Sequence, residues 1–284
     1  MQELRGKKIA DKLKEECLAF AGEHNGLMPA LAIVRVGQKP ADLAYERSVK
    51  KRFIDYGLEA KDYEFPEDVS NEEFQKAFSF INDDPEINGI LVMRPLPKQI
   101  DEQQMLETLR PEKDLDGITK VNAAGVMMGL PEAFAPCTAQ AVVEMLKGYD
   151  VPLAGKHVAV IGRSMVVGKP LSMLLLKENA TVTVCHSKSE NIKEITSQAD
   201  ILVAAIGKAQ LIGSSYIKDD AVVIDVGINE DAEGKLCGDC NFETMATKAS
   251  AVTPVPGGVG TVTTAVLAKH LVEATKLQLK MAEE

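Results

Sequence analysis

Runs of apolar residues alternate with amphipathic stretches along the first half of the chain. Continuous apolar runs at 30–36 and 87–93 predict buried strands. The stretches at 41–57, 71–83 and 101–109 instead repeat their apolar residues at the spacing of a helix. Strands that alternate with helices in this way predict a mostly parallel sheet covered by helices on both faces.

The alternation pauses at residues 110–125, whose charges, proline and glycines predict a loop and a hinge between two domains. It resumes with a helix at 136–150. The later predicted strands are 157–162, 181–186, 200–207, 221–227 and 250–255, and the later predicted helices are 168–178, 190–197 and 261–281. We therefore expect an α/β protein with one domain at 1–137, joined by the C-terminal helix at about 265–284, and a second domain at 138–264.

Composition narrows the class of function. The chain has 284 residues, 45% hydrophobic residues and a net charge of −10, which argues against nucleic acid or an anionic membrane as a partner. No apolar run reaches the roughly 18 residues of a membrane span, and the charged N-terminus does not resemble a signal peptide. Five scattered cysteines suit a reducing cytoplasm. Cys237 and Cys240 form a lone CxxC without further ligands, so we expect no metal site.

A strand, a glycine turn and a helix follow one another at residues 157–176. Gly162 stands at the strand end, where the backbone must turn tightly, and Gly168 stands where the helix packs close to the sheet. The helix N-terminus offers N–H groups and the positive end of its dipole to a pyrophosphate. Because the spacing is G-x5-G rather than G-x-G-x-x-G, an ordinary strand-to-helix turn stays open as the alternative.

The end of the following strand indicates which dinucleotide is bound. Sites that prefer NAD usually place an acid there for the ribose 2′-hydroxyl, whereas this chain has His186, Ser187 and Lys188. A hydroxyl and a cation suit a 2′-phosphate, and Arg163 beside the glycine turn adds a second cation. We therefore expect NADP as the cofactor, with NAD as a weaker one. The alternative is that residues 186–188 are only a solvated loop.

Several motifs point to one family. They are PEKDLDG (111–117), GRSMVVGKP (162–170), NATVTVCHSK (179–188), DVGIN (225–229) and TPVPGGVGTVT (253–263). With them, nearly the whole chain resembles the bifunctional methylenetetrahydrofolate dehydrogenase/methenyltetrahydrofolate cyclohydrolase family, often called FolD. The resemblance implies an N-terminal α/β folate-binding lobe, a C-terminal Rossmann-type NAD(P)-binding lobe and a cleft between them. It also implies a homodimer that acts on tetrahydrofolate substrates, with or without a polyglutamate tail.

The resemblance assigns the folate contacts to four residues. It implies that Tyr45 stacks on the folate, that Asp116 binds the pterin, and that Pro256 and Gly257 flank the folate. Hydride transfer from the methylene bridge to a nicotinamide requires two flat rings held face to face, and it requires no strong acid or base. An aromatic ring, a carboxylate and a stiff proline-glycine wall can hold the folate in that way.

The resemblance also assigns the nucleotide contacts. They are Gly162, Arg163, Ser164, Ser187 and Ile228. It further places Asp225 and Asn229 beside the nicotinamide. For those two residues the alternative is that they only pin a loop.

Three positions depart from the family within the cluster that drives its cyclohydrolase step. The helix pattern Ser-x-x-Tyr-x-x-x-Lys reads Asp42, Tyr45 and Val49 here, and the glutamine position on the next strand is Met93. Valine and methionine cannot move protons, and loss of a positioned acid–base group typically costs about 10²–10⁴-fold in rate. We therefore expect a dehydrogenase whose cyclohydrolase activity is absent or very weak.

Lys50 is the alternative to this interpretation. At about 100° per residue, Val49 lies about 40° from Tyr45 around the helix, whereas Lys50 lies about 140° away. Lys50 would serve only if the register were shifted by one residue, which would leave a full bifunctional enzyme. A folate- or nucleotide-binding protein without turnover and another Rossmann oxidoreductase also stay open. Asp42 either caps the helix or belongs to the altered cluster.

Overall fold

The computed structural model describes residues 1–24 and 26–283. The chain divides into two compact units, which are Met1–Asp11 with Pro136–Thr263 (unit 1) and Lys12–Ala135 with Thr264–Glu284 (unit 2). Among the described residues, none of the helices has both the length and the apolar character needed to cross a membrane.

Helices and strands alternate through both units. The helices are α1 (Gly6–Glu23), α2 (Pro40–Asp55), α3 (Asn71–Asp83), α4 (Glu102–Thr108), α5 (Lys120–Met128), α6 (Cys137–Gly148), α7 (Gly168–Lys177), α8 (Ile192–Thr196), α9 (Phe242–Ala246) and α10 (Val259–Glu283). The strands are β1 (Gln2–Glu3), β2 (Ala30–Val36), β3 (Glu59–Phe65), β4 (Gly89–Val92), β5 (His157–Ile161), β6 (Thr181–Cys185), β7 (Ile201–Ala204), β8 (Val222–Asp225), β9 (Asn229–Glu230), β10 (Leu236–Cys237) and β11 (Ala251–Val252).

A six-stranded parallel sheet forms the centre of unit 1, in the order β1-β11-β8-β7-β5-β6. The inner strands β5, β7 and β8 are runs of almost entirely buried residues, as in parallel sheets that are covered on both faces. We expected residues 1–11 to belong to the same domain as residues 12–137, but they group with unit 1. The reason is local, since β1 pairs with β11 through the N–H groups of Gln2 and Leu4.

A three-stranded parallel sheet, β3-β2-β4, forms the centre of unit 2. Strand β2 is buried along its whole length, and the buried rings of Phe74 and Phe78 on α3 pack in the core beside it. The apolar pattern did not predict strand β3. Its sequence, EAKDYEF, mixes charged and apolar residues without strict alternation and is partly exposed, as is usual for a strand at a sheet edge.

The segment predicted as a loop and hinge at 110–125 instead contains the start of helix α5. The Thr119 side chain accepts a hydrogen bond from the N–H of Asn122 and caps this helix. The carboxylate of Asp114 is buried and accepts from the N–H groups of Ile118 and Thr119, at 3.0 and 2.8 Å. The prediction of a loop holds at residues 114–119 and was wrong from Lys120, where α5 begins. The polar residues before the helix are a cap and a buried acceptor.

Substitution of Gly168 by alanine tests how closely the start of α7 packs against the turn after β5. An added Cβ would lie 2.1 Å from the carbonyl oxygen of Gly162, and backbone cannot move aside as a flexible side chain can. We expect Gly168→Ala to lower the free energy of unfolding by about 1–3 kcal/mol. The control is Gly22→Ala on α1, where a Cβ meets nothing within 4 Å, and a gain of about 0.5–1 kcal/mol is expected. Urea unfolding followed by circular dichroism measures both, and equal stabilities would contradict the prediction.

Candidate functional site

A cavity of about 310 Å³ lies in unit 1 at the carboxyl ends of β5, β6 and β7. Its walls come from the turn after β5, the turn after β6 and residues 205–216. In open α/β sheets, ligands bind outside the carboxyl ends of the strands, and the volume falls within the usual range of roughly 300–1,000 Å³ for ligand pockets.

Backbone contacts at Gly162 fix the position of the turn after β5. Gly162 has a φ of +132°, and an added Cβ would lie 2.2 Å from the carbonyl oxygen of Ala205. The N–H of Gly162 donates to the carbonyl of Cys185 at 2.8 Å. The end of β5 therefore touches both neighbouring strand ends, and only glycine fits at that point.

Ser164 organises the loop between this turn and α7. Its Oγ accepts from the N–H of Val167 at 3.0 Å, and its carbonyl accepts from the N–H of Lys169 at 3.1 Å. We expected the N–H groups at this helix start to face a pyrophosphate, and two of them are engaged by Ser164 instead. Arg163 is exposed and lines the cavity.

The turn after β6 is held by its own side chains. Ser189 Oγ accepts from the N–H of His186 at 3.0 Å, and His186 Nδ1 accepts from the N–H of Lys188 at 3.1 Å. His186 and Ser187 line the cavity together with Arg163, and Lys188 does not. Among the described residues that line the cavity, none carries a carboxylate. This wall therefore has the chemistry that a phosphate requires.

Sequence reasoning missed the third wall of the cavity, which includes Lys208, Leu211 and Tyr216. The Nζ of Lys193 lies 5.3 Å from the centre of the Tyr216 ring, within the range of a cation–π contact. The predicted strand at 200–207 could have indicated this wall, because the ends of parallel strands meet at one edge of the sheet.

Three residues that the resemblance assigns to ligands lie in unit 1 outside the lining of this cavity. Ile228 is 65% exposed and follows the end of β8. Pro256 is exposed and directly precedes Gly257, which has a φ of +102°. The carbonyl of Gly257 accepts from the N–H of Gly6 at 2.8 Å, so the start of α1 holds the proline-glycine segment.

Helix α2 of unit 2 carries Tyr45 and Val49. The helix begins after Lys39 with Pro40 at its first turn. Asp42 therefore does not cap it, and lies in the first turn near the positive end of the helix dipole. Tyr45 is half-buried, whereas Val49 is 0% exposed. Val49 thus belongs to the buried face of α2.

Lys50 is engaged in a network of charges between α2 and the β-sheet. Its Nζ forms an ion pair with Asp62 on β3 and lies 3.8 Å from a carboxylate oxygen of Glu46. Arg35 on β2 pairs with Glu46 at 2.8 Å and with Glu64 at 3.0 Å. The hydrogen bond to Asp62 raises the pKa of Lys50 above its ordinary value. The carboxylates of Glu46, Asp62 and Glu64 lie close together. Their negative charges are compensated by the two cations, Arg35 and Lys50.

Met93 and its neighbour lie just beyond the end of β4. Met93 is buried, and its N–H donates to the carbonyl of Val34 at 2.8 Å. The guanidinium of Arg94 pairs with Glu102 on α4 at 2.5 Å. Neither the thioether of Met93 nor the guanidinium of Arg94 can act as a base.

Asp116 lies in a turn of unit 2 that buried residues hold on both sides. The side chain of Leu115 is fully buried, and its carbonyl lies 2.8 Å from Nδ1 of the buried His270 on α10. A carbonyl can only accept, so Nδ1 is the donor. Burial lowers the pKa of His270, which keeps its ring neutral. The turn therefore presents a half-buried Asp116 on a fixed backbone.

The fold of unit 1, its glycine turn and its cavity define an NAD(P)-binding α/β unit of the Rossmann class. Residues 136–279 match the family described as tetrahydrofolate dehydrogenase/cyclohydrolase, NAD(P)-binding domain, and residues 4–116 match the catalytic domain of the same family. The chain belongs to the tetrahydrofolate dehydrogenase/cyclohydrolase family.

Individual relatives agree with this assignment. The "Bifunctional protein FolD" of Clostridium kluyveri is 51% identical over 98% of this chain and 99% of its own length. The crystal structure of the bifunctional FolD enzyme of Campylobacter jejuni matches with a TM-score of 0.94 and 37% identity, over 98% of this chain and 99% of that one. A Trypanosoma brucei FolD, solved with NADP and an inhibitor, matches with a TM-score of 0.88 and 34% identity, over 96% and 95% of the two chains.

The buried carboxyl group of Asp225, at the end of β8, should make the free energy of unfolding depend on pH. Burial raises the pKa of its carboxyl group from 3.8 to about 6. The folded state therefore binds this proton more tightly than the unfolded state, and its stabilising effect is lost as the pH rises from about 4 through about 6. Relative to Asp225→Asn, the wild type should lose on the order of 3 kcal/mol of unfolding free energy across that range. Urea unfolding at a series of pH values measures the difference, and parallel curves for the two proteins would contradict it.

Proposed function

We propose that the protein is an NADP-dependent 5,10-methylenetetrahydrofolate dehydrogenase with absent or very weak cyclohydrolase activity. NADP, when bound, supplies the nicotinamide that accepts a hydride from the methylene bridge, and the product is 5,10-methenyltetrahydrofolate. The observation that carries this proposal is the cavity at the carboxyl ends of β5, β6 and β7, in a chain of this family.

The preference for NADP rests on the charge of the cavity wall. Arg163, His186 and Ser187 line it, and none of the described lining residues has a carboxylate that would repel a 2′-phosphate. The guanidinium of Arg163 can bind a phosphate through two N–H groups, and the Ser187 hydroxyl can donate to it. These residues therefore fit the 2′-phosphate of NADP.

The proposed folate contacts in unit 2 are Tyr45 and Asp116. The ring of Tyr45 would stack on the flat pterin or benzoyl ring, and the carboxylate of Asp116 would accept from the N–H edge of the pterin. Asp116 lies in a turn held by Asp114 and by His270, which supports a role that depends on fixed position. In unit 1, Pro256 and Gly257 would flank the folate.

The loss of cyclohydrolase activity rests on the side chains at the lysine position. Val49 is fully buried and cannot transfer a proton. Lys50 is bound to Asp62, which raises its pKa. A lysine that takes part in proton transfer near neutral pH functions best when its pKa is lowered. The contacts of Lys50 therefore support a structural role rather than a catalytic one.

The full bifunctional enzyme is the second candidate. Two curated relatives at 50% and 51% identity carry the name "Bifunctional protein FolD", and that name favours both activities. In that case Lys50 would have to leave its carboxylate partners during turnover.

We also infer a cytoplasmic homodimer in which unit 2 carries the main folate contacts and unit 1 binds the nucleotide. Strand β6 supports association, because it lies at an edge of the six-stranded sheet and an edge strand can pair with another chain. Sedimentation equilibrium of the purified chain tests the dimer.

An assay of methenyltetrahydrofolate absorbance separates the two candidates. With methylenetetrahydrofolate and NADP, we expect the methenyl product to accumulate and then decay at the rate of buffer alone. Lys50→Ala should leave this decay unchanged, and Val49→Lys with Met93→Gln should accelerate it. Enzyme-dependent hydrolysis in the wild type that disappears in Lys50→Ala would establish the bifunctional enzyme instead.

Substitution of Arg163 tests the choice of cofactor. Because a charge-assisted contact to the 2′-phosphate is lost, Arg163→Ala should raise the KM for NADP by about 10–100-fold. The KM for NAD, which has no 2′-phosphate, should change much less. Lys177→Ala removes an exposed cation at the other end of α7 and serves as the control. A similar rise in both KM values would argue against contact between Arg163 and the 2′-phosphate.

A further inference from the structure

A buried carboxylate lies beneath the cavity wall formed by residues 205–212. Asp239 is 0% exposed. Its Oδ2 accepts from the N–H groups of Ile206 and Gly207, at 2.6 and 3.1 Å. Its Oδ1 accepts from the N–H of Lys208 at 2.8 Å and from the side-chain amide of Asn229 at 3.0 Å. Four N–H groups thus converge on one carboxylate, and three of them belong to consecutive residues of the wall.

A second carboxylate fixes Asp239 itself. Asp225 accepts from the N–H groups of Asp239 and Cys240, at 2.9 and 2.8 Å. The segment fits closely around both acids, because a Cβ on Gly227 would lie 2.4 Å from Asp239, and a Cβ on Gly238 would lie 1.9 Å from Asp225. The end of β8 therefore holds the segment at 237–240, and that segment holds the loop at 206–208.

The loop that Asp239 holds, at residues 206–208, forms part of the cavity wall. Ile206 and Lys208 line it, and Gly207 between them is exposed. Because the three N–H groups donate to Asp239, which does not line the cavity, the backbone of this loop is held by a residue outside the cavity. An exposed loop of this kind would otherwise sample several conformations, and ordering it on binding would cost affinity.

We propose that Asp239 is a positioning residue for the nucleotide, and that its carboxylate fixes residues 206–208 in the conformation that binds a nicotinamide dinucleotide. The proposal rests on the nucleotide binding proposed above. Asp239 does not line the cavity, so it acts through the loop rather than through contact with the ligand. Asn229, which we expected beside the nicotinamide, donates its side-chain amide to the same carboxylate.

The variant Asp239→Asn tests this role with little change in shape. Its NH₂ group faces two of the four N–H donors wherever it points. Either Lys208 alone or both Ile206 and Gly207 therefore lose the acceptor of their backbone N–H. We expect the Kd for NADPH, measured from the fluorescence of the nucleotide, to rise about tenfold or more. The KM for NADP should rise in parallel, while kcat at saturating NADP and the KM for the folate change little. A merely structural role would lower stability without this selective loss of nucleotide affinity.

Asp231→Asn is the matched control. Asp231 also accepts from two backbone N–H groups, those of Glu233 and Lys235 at 2.9 Å, but it lies in the β9-β10 hairpin and does not line the cavity. Its Kd for NADPH should stay within about twofold of the wild type, which is the scale of an exposed hydrogen bond. An unchanged Kd in folded Asp239→Asn would overturn the proposal. A wild type that binds no NADPH would instead overturn the proposed function.

Hydrogen exchange of the wild type provides a test that does not depend on the folding of a variant. The N–H groups of Gly207 and Lys208 belong to exposed residues, yet their hydrogen bonds to Asp239 should protect them before NADPH is added. Exchange of these amides at the rate of an unstructured chain would contradict a fixed loop.

Discussion

The parallel pairing of β5 with β6 and β7 is the constraint on which the nucleotide site depends. Parallel strands end at the same edge of a sheet, and the backbone of Gly162 contacts the ends of both neighbours, at Cys185 and Ala205. These contacts leave no room for a side chain at Gly162. The cation of Arg163, the hydroxyl of Ser187 and the third wall are thereby brought to one cavity, although they lie far apart in the sequence.

Features with a repeated local pattern could be predicted from the sequence. The buried strands β2 and β5 and the glycine turn are visible as apolar runs and spacing. Strand β3 was missed because its edge position allows charged residues, and α5 was missed because its cap resembles a loop. The partners of Asp239 could not be predicted either, since its bond to Lys208 spans 31 residues and no pattern marks a carboxylate surrounded by backbone amides.

Helix phase explains why two adjacent residues of α2 have different environments. Val49 lies on the buried face, and Lys50, one residue further, reaches the charged edge at Asp62. The side chain of Lys50 is 37% exposed, so its carboxylate partners compete with water for the ammonium group. A buried lysine at position 49 would instead have its pKa lowered by desolvation. The same residue type would therefore have opposite acid–base properties at the two positions.

This difference makes the two activities of the family physically separable. Hydride transfer depends on the position of two rings, whereas hydrolysis of the methenyl carbon depends on a group that moves a proton. Valine at position 49 adds an apolar contact to a face that already buries Phe53 and avoids the cost of burying an ammonium group. Tyr45 lies on the same helix, and the pairing of Glu46 with Arg35 ties that helix to β2. If Val49 occupies the lysine position as proposed, the proton-transfer group is absent while the helix that carries the proposed folate-stacking ring stays in place.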